Sequence, residues 1–128
     1  MKTELQQLAI ELSIQDRVHY LNHIAEMADF YNALDVFCLA SLLEGLPLVA
    51  LEAQACAVPV VMTDVGAVAT GVHMGSGVVV PAADSAALVA GIKDLLNRER
   101  FDSPRNFIVD NYNLTDTVRR YDELYRLV

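Results

Sequence analysis

Two glutamates, Glu44 and Glu52, stand eight residues apart in a segment that predicts a junction between a loop and a helix. Gly45 frees the backbone between them, and Pro47 suits the first position of a helix. Glu44 would therefore lie on the loop, with Glu52 about one turn inside the helix. Both carboxylates accept hydrogen bonds, so a ligand rich in hydroxyl groups is within their chemistry.

The start of such a helix also offers a site for an anion. The first backbone N–H groups of a helix have no partners within it, and they are well placed to bind a phosphate at the helix end. A ligand that satisfies the whole segment has phosphates in the middle and polyols at both ends, as a nucleotide-sugar does.

The rest of the chain predicts strands that alternate with helices. Apolar, β-branched runs indicate strands at Arg17–Leu21, Asp35–Ala40, Pro59–Thr63 and Gly77–Val80. Helical spacing of apolar residues, with Asp84 and Ser103-Pro104 as start signals, indicates helices at Thr3–Leu12, Ala25–Leu34, Leu48–Ala57, 84–97, 103–111 and Thr115–Leu127. This order is typical of parallel βαβ units, so we predict an α/β fold with a Rossmann-like parallel sheet flanked by helices.

The loops that follow two of these strands are expected to form a crevice. In open parallel sheets, ligands bind beyond the carboxyl ends of the strands. Glu44 follows the strand Asp35–Ala40, and Asp64-Val65-Gly66 follows the strand Pro59–Thr63. We therefore expect Glu44 and the segment 64–66 to line the same crevice.

Composition places the chain among single-domain proteins and argues against nucleic-acid binding. The 128 residues carry nine Lys and Arg against 17 Asp and Glu, and the basic residues form no stripe. The hydrophobic fraction of 54% suggests strands buried on both faces and apolar surface that meets another domain. Cys38 and Cys56 lie in apolar runs, which predicts two buried, reduced thiols and a cytoplasmic protein.

The Glu44–Glu52 segment, taken with its flanks, resembles the retaining nucleotide-sugar glycosyltransferases of family 4, which have the GT-B fold. The segment matches the E-x7-E motif of that family, including the run Glu-Gly-Leu-Pro-Leu-Val. The run Pro-Val-Val-Met-Thr-Asp-Val-Gly at Pro59–Gly66 continues the match, and Asn113–Val128 looks like the closing helix of the family. Tyr31–Ser41 resembles the preceding helix end, strand and Pro-Ser turn, with Ala40 in place of the proline.

The resemblance implies roles for individual residues. Glu44 would contact hydroxyls of the transferred sugar near the reacting centre and is the catalytic candidate. The substrate-binding residues would be Gly45, Leu46, Pro47, Leu48, Val49 and Glu52, with backbone amides facing the diphosphate and Glu52 on the ribose. The resemblance implies no metal and no cofactor beyond the nucleotide-sugar substrate. The intact enzyme would serve polysaccharide or glycoconjugate biosynthesis.

The resemblance also implies that part of the fold lies outside this sequence. Residues 1–128 would form a partial, nucleotide-sugar-binding domain, the incomplete C-terminal half of a GT-B fold. The N-terminal GT-B domain and the first two strands of the C-terminal domain would be missing partners. We expect the isolated chain to be inactive. In the intact enzyme Arg119 and Arg120 would offer a weak peripheral contact to anionic lipid.

An incomplete sheet has a physical consequence. Loss of the two central strands would leave the strand Asp35–Ala40 with an open inner edge, and exposed apolar edges pair with other chains. We therefore expect the chain to form a homodimer, to swap elements, or to move Arg17–Leu21 beside Asp35–Ala40.

Other classes of function stay open at this stage. The main alternative is a stand-alone nucleotide-binding or regulatory module, or one half of a split enzyme. A glycoside hydrolase would also pair two carboxylates, but the sequence supplies no substrate cleft of its own. A receiver-type signalling domain would need acidic residues after its first strand, which are absent here. A sugar-nucleotide epimerase would share the fold.

Overall fold

The computed structural model describes residues 2–127, and a parallel sheet lies at its centre. The three strands are β1 (Phe37–Leu39), β2 (Val60–Thr63) and β3 (Gly77–Val80), in the order β1-β2-β3. Phe37 is paired with Val60, and Val60 with Gly77. The predicted α/β class and the parallel pairing of the strands are confirmed. Each crossover between neighbouring strands contains helical structure, as is usual for parallel strands.

Within residues 2–127, six α-helices follow the predicted order. They are α1 (Lys2–Glu11), α2 (Met27–Asn32), α3 (Leu48–Ala55), α4 (Ser85–Asn97), α5 (Pro104–Asn111) and α6 (Leu114–Tyr125). Short 3₁₀ helices occupy Gln15–Arg17 and Val68–Gly71. The start signal at Asp84 is confirmed, since its carboxylate accepts a 2.9 Å hydrogen bond from the Ala87 N–H. Val128, the end of the predicted closing helix, lies outside the described residues.

The sheet is buried on both faces, with a separate core on each side. On one face α2 and α3 pack against the strands, and Tyr31, Ala53, Val60 and Met62 are almost fully buried there. On the other face α4 covers Val61 and Val80 with Leu95. Strand β2 contributes to both cores because successive side chains of a strand point to opposite faces.

The predicted strand Arg17–Leu21 is wrong. The segment begins as the end of a 3₁₀ helix and continues as irregular chain. The described part of the sheet contains no strand on the side of β1 that faces away from β2. A strand needs a neighbour that pairs with its backbone N–H and C=O groups. Val18 and Tyr20 instead line an apolar groove together with side chains of α1.

The prediction of two buried cysteines is also wrong. Cys38 is exposed and Cys56 is half-buried, and both are free thiols. Phe37 and Leu39 face the core beneath α2 and α3. The side chain of Cys38 therefore points to the opposite face, where α4 packs against β2 and β3. Cys56 is the C-cap of α3 and so lies at the surface end of that helix.

Much apolar surface remains exposed, as the composition suggests. The apolar side of α6 shows this most clearly, since Leu114, Val118, Tyr121 and Leu124 are each more than half exposed. Within residues 2–127, no helix combines the length and the apolar character that crossing a bilayer requires.

Candidate functional site

Glu44 lies in the loop between β1 and α3 and is held by a chain of two hydrogen bonds. The Ser41 hydroxyl donates to Glu44 Oε1 at 2.7 Å. The hydroxyl of Thr63, at the carboxyl end of β2, donates to the Ser41 carbonyl oxygen at 2.5 Å. Thr63 is buried and Glu44 is half-buried. One oxygen of the Glu44 carboxylate is therefore fixed by the protein, and its orientation depends on the end of β2.

The loop that follows β2 lies directly against the Glu44 loop. Gly66 has φ +58°, and a Cβ atom at this position would lie 2.0 Å from the Glu44 carbonyl oxygen. The Ala67 N–H donates to the Gly45 carbonyl oxygen at 3.3 Å. Only glycine fits so close an approach of two backbones. The two loops thus form one unit at the carboxyl edge of the sheet, where the sequence predicts that Glu44 and residues 64–66 lie together.

Helix α3 starts at Leu48, as in the predicted range, although Pro47 does not take the first helical position expected for it. Pro47 is the N-cap residue, with φ −72° and ψ 109°, and Leu48 is the first helical residue. The extended ψ of Pro47 places its carbonyl oxygen to accept the first bond, from the Ala50 N–H at 3.1 Å. No side chain caps the helix. The N–H groups of the first turn are therefore not occupied by a capping side chain.

The other residues of this segment present little bulk at the helix start. Gly45 is exposed, and a Cβ atom there would find no neighbour within 4 Å. Leu48 and Val49 are exposed, while Pro47 is buried. Leu46 is partly exposed, and its side chain packs closely beside the backbone of Gly71. The segment Gly45–Val49 therefore leaves its polar backbone open on one side, while the apolar side chains of Leu46 and Pro47 pack on the other.

Glu52 lies one turn inside α3, as predicted, with an exposed side chain. Its Oε2 accepts a 2.8 Å hydrogen bond from the hydroxyl of Tyr31 on α2. Tyr31 is only 1% exposed, and its ring packs against those of Phe30 and Phe37. Burial, and then the hydrogen bond to Glu52 and its charge, raise the pKa of Tyr31 well above its usual range. Tyr31 therefore stays a hydrogen-bond donor at physiological pH.

Two shallow grooves meet at Glu52. One, of about 290 Å³, lies between α2 and α3 and is lined by Met27, Tyr31 and Cys56. The other, of about 230 Å³, lies between α3 and α5 and is lined by Leu48, Ile108 and Tyr112. The walls of both are mainly apolar. Glu52 is the one acidic side chain in either lining.

Gln54 is a structural residue of this site that the sequence analysis did not identify. Its side chain is fully buried on the inner side of α3. The amide nitrogen donates to the carbonyl oxygens of Ala50 and Gly71, at 3.1 and 2.7 Å, and the amide oxygen accepts from the His73 N–H at 2.9 Å. Gln54 thereby attaches the segment 71–73 to α3. A lone polar residue on the inner side of a helix is the signal that could have indicated it.

Between Lys2 and Leu127, no group of three or more His, Cys, Asp or Glu side chains is arranged to hold a metal ion.

Comparison with known families gives a match over most of the chain. The model of the family described as glycosyl transferases group 1 matches residues 1–114. D-inositol 3-phosphate glycosyltransferase of Geodermatophilus obscurus is 44% identical over 98 residues, which cover 74% of this chain and 22% of that enzyme. The lipopolysaccharide core biosynthesis mannosyltransferase of Rhizobium meliloti is 36% identical over 91 residues, covering 69% of this chain and 26% of that enzyme.

Two solved structures have the same fold over almost the whole of this chain. Sucrose-phosphate synthase of Thermosynechococcus elongatus superposes with a TM-score of 0.87 at 28% identity, over 98% of this chain and 33% of that chain. Anabaena HepE, solved in complex with UDP, superposes with a TM-score of 0.84 at 20% identity, over 98% of this chain and 36% of that chain. The second likeness shows the fold alone.

The chain spans about a quarter of the length of these curated relatives and a third of the solved chains. What it shares with them is one α/β unit of the GT-B type, and the E-x7-E segment lies inside the region that the family model matches. The chain belongs to the glycosyl transferases group 1 family.

Proposed function

We propose that this chain is the donor-binding part of a retaining family 4 glycosyltransferase. The intact enzyme would transfer a sugar from a nucleotide-diphosphate-sugar to an acceptor. The observation that carries this proposal is the arrangement around the start of α3. An uncapped helix start lies between a loop carboxylate, Glu44, and a helix carboxylate, Glu52, at the carboxyl edge of a parallel sheet.

Each part of the donor has a matching group. The diphosphate would bind at the N–H groups of Leu46, Leu48 and Val49, where the positive end of the helix dipole favours negative charge. Because negative charge on the leaving diphosphate grows as the sugar bond breaks, the same groups would stabilise the transition state. Glu44 would accept hydrogen bonds from the sugar hydroxyls, and Glu52 from the ribose hydroxyls.

The relatives support a sugar donor, since the curated relatives carry names of enzymes that transfer sugars. We propose that no metal ion takes part and that the N–H groups of the helix start offset part of the charge of the diphosphate. We also propose that the 128-residue chain alone binds the donor without transferring the sugar.

The assignment of the two carboxylates can be tested by calorimetric titration with UDP-, GDP- and ADP-sugars and with the free diphosphates. We expect Glu52→Ala to weaken binding of both the free nucleoside diphosphate and the nucleotide-sugar about tenfold or more, as for loss of hydrogen bonds to a charged group. Glu44→Ala should weaken binding of the sugar nucleotide while leaving the free diphosphate almost unchanged.

Glu99→Ala is the matched control, since it removes one exposed glutamate outside the site. It should bind every ligand as the wild type does. Equal binding by the wild type and by both site variants would refute the assigned roles. Absence of binding by the wild type to the whole panel would refute donor binding by this chain.

A further inference from the structure

The Tyr31–Glu52 hydrogen bond joins a buried donor to an exposed acceptor. Glu52 is a flexible side chain on the outer side of α3, where water competes for its carboxylate. The Tyr31 hydroxyl reaches Oε2 at 2.8 Å from a ring that is 1% exposed. Because the ring is packed between Phe30 and Phe37, the position of its hydroxyl is set by the core rather than by solvent.

We infer that Tyr31 is a positioning residue for nucleotide binding: it holds Glu52 in the one orientation that leaves Oε1 directed at the ligand. This inference rests on the proposed function of Glu52. A carboxylate has two oxygens, and the protein occupies one of them. Glu52 lines both grooves, one on either side of α3, so its second oxygen is left for a ligand there. Tyr31 need not touch the ligand to have this effect.

The same arrangement occurs at the other carboxylate, which shows that it is a feature of the site. Ser41 donates to Glu44 Oε1 and is itself held by Thr63. In each case a hydroxyl binds one carboxylate oxygen: the hydroxyl comes from α2 at Glu52 and from the same loop at Glu44. Fixing a side chain before the ligand arrives lowers the entropy that binding must overcome.

Tyr31→Phe tests the inference because it removes the hydroxyl and retains the ring in the core. Binding of UDP, GDP and ADP to the full 128-residue chain would be measured by calorimetry, using whichever diphosphate the wild type binds. We expect Tyr31→Phe to weaken binding about threefold to tenfold, the range for loss of one hydrogen bond. Tyr121→Phe is the control, since this tyrosine is exposed on α6, and it should bind as the wild type does.

A double variant separates positioning from a general effect on the fold. If Tyr31 acts through Glu52, then Tyr31→Phe should change affinity little in the Glu52→Ala background. An equal loss in both backgrounds would overturn the inference, because Tyr31 would then act by another route. Unchanged affinity of Tyr31→Phe alone would overturn it while leaving the proposed function intact. A wild type that binds none of the three diphosphates would overturn both.

Discussion

Gln54 shows how a single residue can hold the site together. It is buried in α3, and its amide bonds the Gly71 carbonyl oxygen and the His73 N–H. Gly71 in turn lies beside Leu46, in the segment proposed to face the donor. One side chain thus connects the helix that carries Glu52 with the loop beneath the helix start.

We expect Gln54→Met to lower the free energy of unfolding by about 2–4 kcal/mol. Methionine fills a similar volume, but it leaves the Gly71 carbonyl and the His73 N–H without their partner, at about 1–3 kcal/mol for each buried group. Urea unfolding monitored by circular dichroism would measure the change. Gln6→Met, on the exposed side of α1, should stay within about 0.5 kcal/mol of the wild type. A similar small change for Gln54→Met would contradict the proposed role.

For single residues, the sequence predicts contacts between neighbours along the chain but not contacts between residues that are distant in sequence. Gly45, Pro47 and the spacing of Glu44 and Glu52 predict a loop-to-helix junction because those effects act within a few residues. Tyr31 is 21 residues from Glu52, and Gln54 is 17 from Gly71. Such partners are determined by how the helices pack, which no local pattern records.

Among the elements, α3 ends in a way that its sequence does not favour. Ala57 has φ 64°, the left-handed conformation. Its N–H donates to the Gln54 carbonyl oxygen, and the Val58 N–H donates to that of Ala53. These two bonds form a Schellman motif, in which glycine usually occupies the position of Ala57 because the left-handed conformation is costly for other residues.

Ala57→Gly is therefore expected to raise the free energy of unfolding by about 0.5–1 kcal/mol, since relief of the strained conformation exceeds the added freedom of the unfolded chain. Ala90→Gly, in the middle of α4 and equally exposed to solvent, should lower it by about the same amount. Urea midpoints at unchanged m-value would measure both. A lower midpoint for Ala57→Gly would show that strain at Ala57 is not released.

Element boundaries were predictable where a local signal is strong. Gly77–Val80 was predicted with the observed limits because Pro81 stops the strand, and Asp84 gave the start of α4 through its capping bond. Arg17–Leu21 has the composition of a strand but lacks a neighbour to pair with. Its conformation is decided by tertiary contacts with α1, so composition alone gave the wrong result.

For the whole molecule, the open edge of β1 is the main feature left without a partner in the described part of the sheet. β1 pairs with β2 on one side, and Phe37 and Leu39 are apolar. The curated relatives are about four times longer than the matched segment. The apolar side of α6 is a second apolar surface that is exposed to water in this chain.

We predict that the isolated chain self-associates through this edge. Light scattering after size exclusion, with a reducing agent present, should give a dimer at micromolar to millimolar concentrations. Cys38→Lys should shift the population toward monomer, because a lysine on an edge strand opposes pairing with a second copy. Val109→Lys, on the exposed side of α5, is the control and should leave the dimer intact. A monodisperse wild-type monomer with an uncovered β1 would contradict the prediction.

The bond from Thr63 to Ser41 gives this edge a further consequence, which concerns local unfolding. Ser41 lies two residues after the end of β1, and it is Ser41 that fixes Glu44. A strand of three residues that is bonded on one side opens more readily than the centre of a sheet. Each such opening would release Ser41 from Thr63 and Glu44 from Ser41. The fraction of time for which Glu44 is ordered would then be set by the stability of β1, and any molecule that pairs with β1 would increase it.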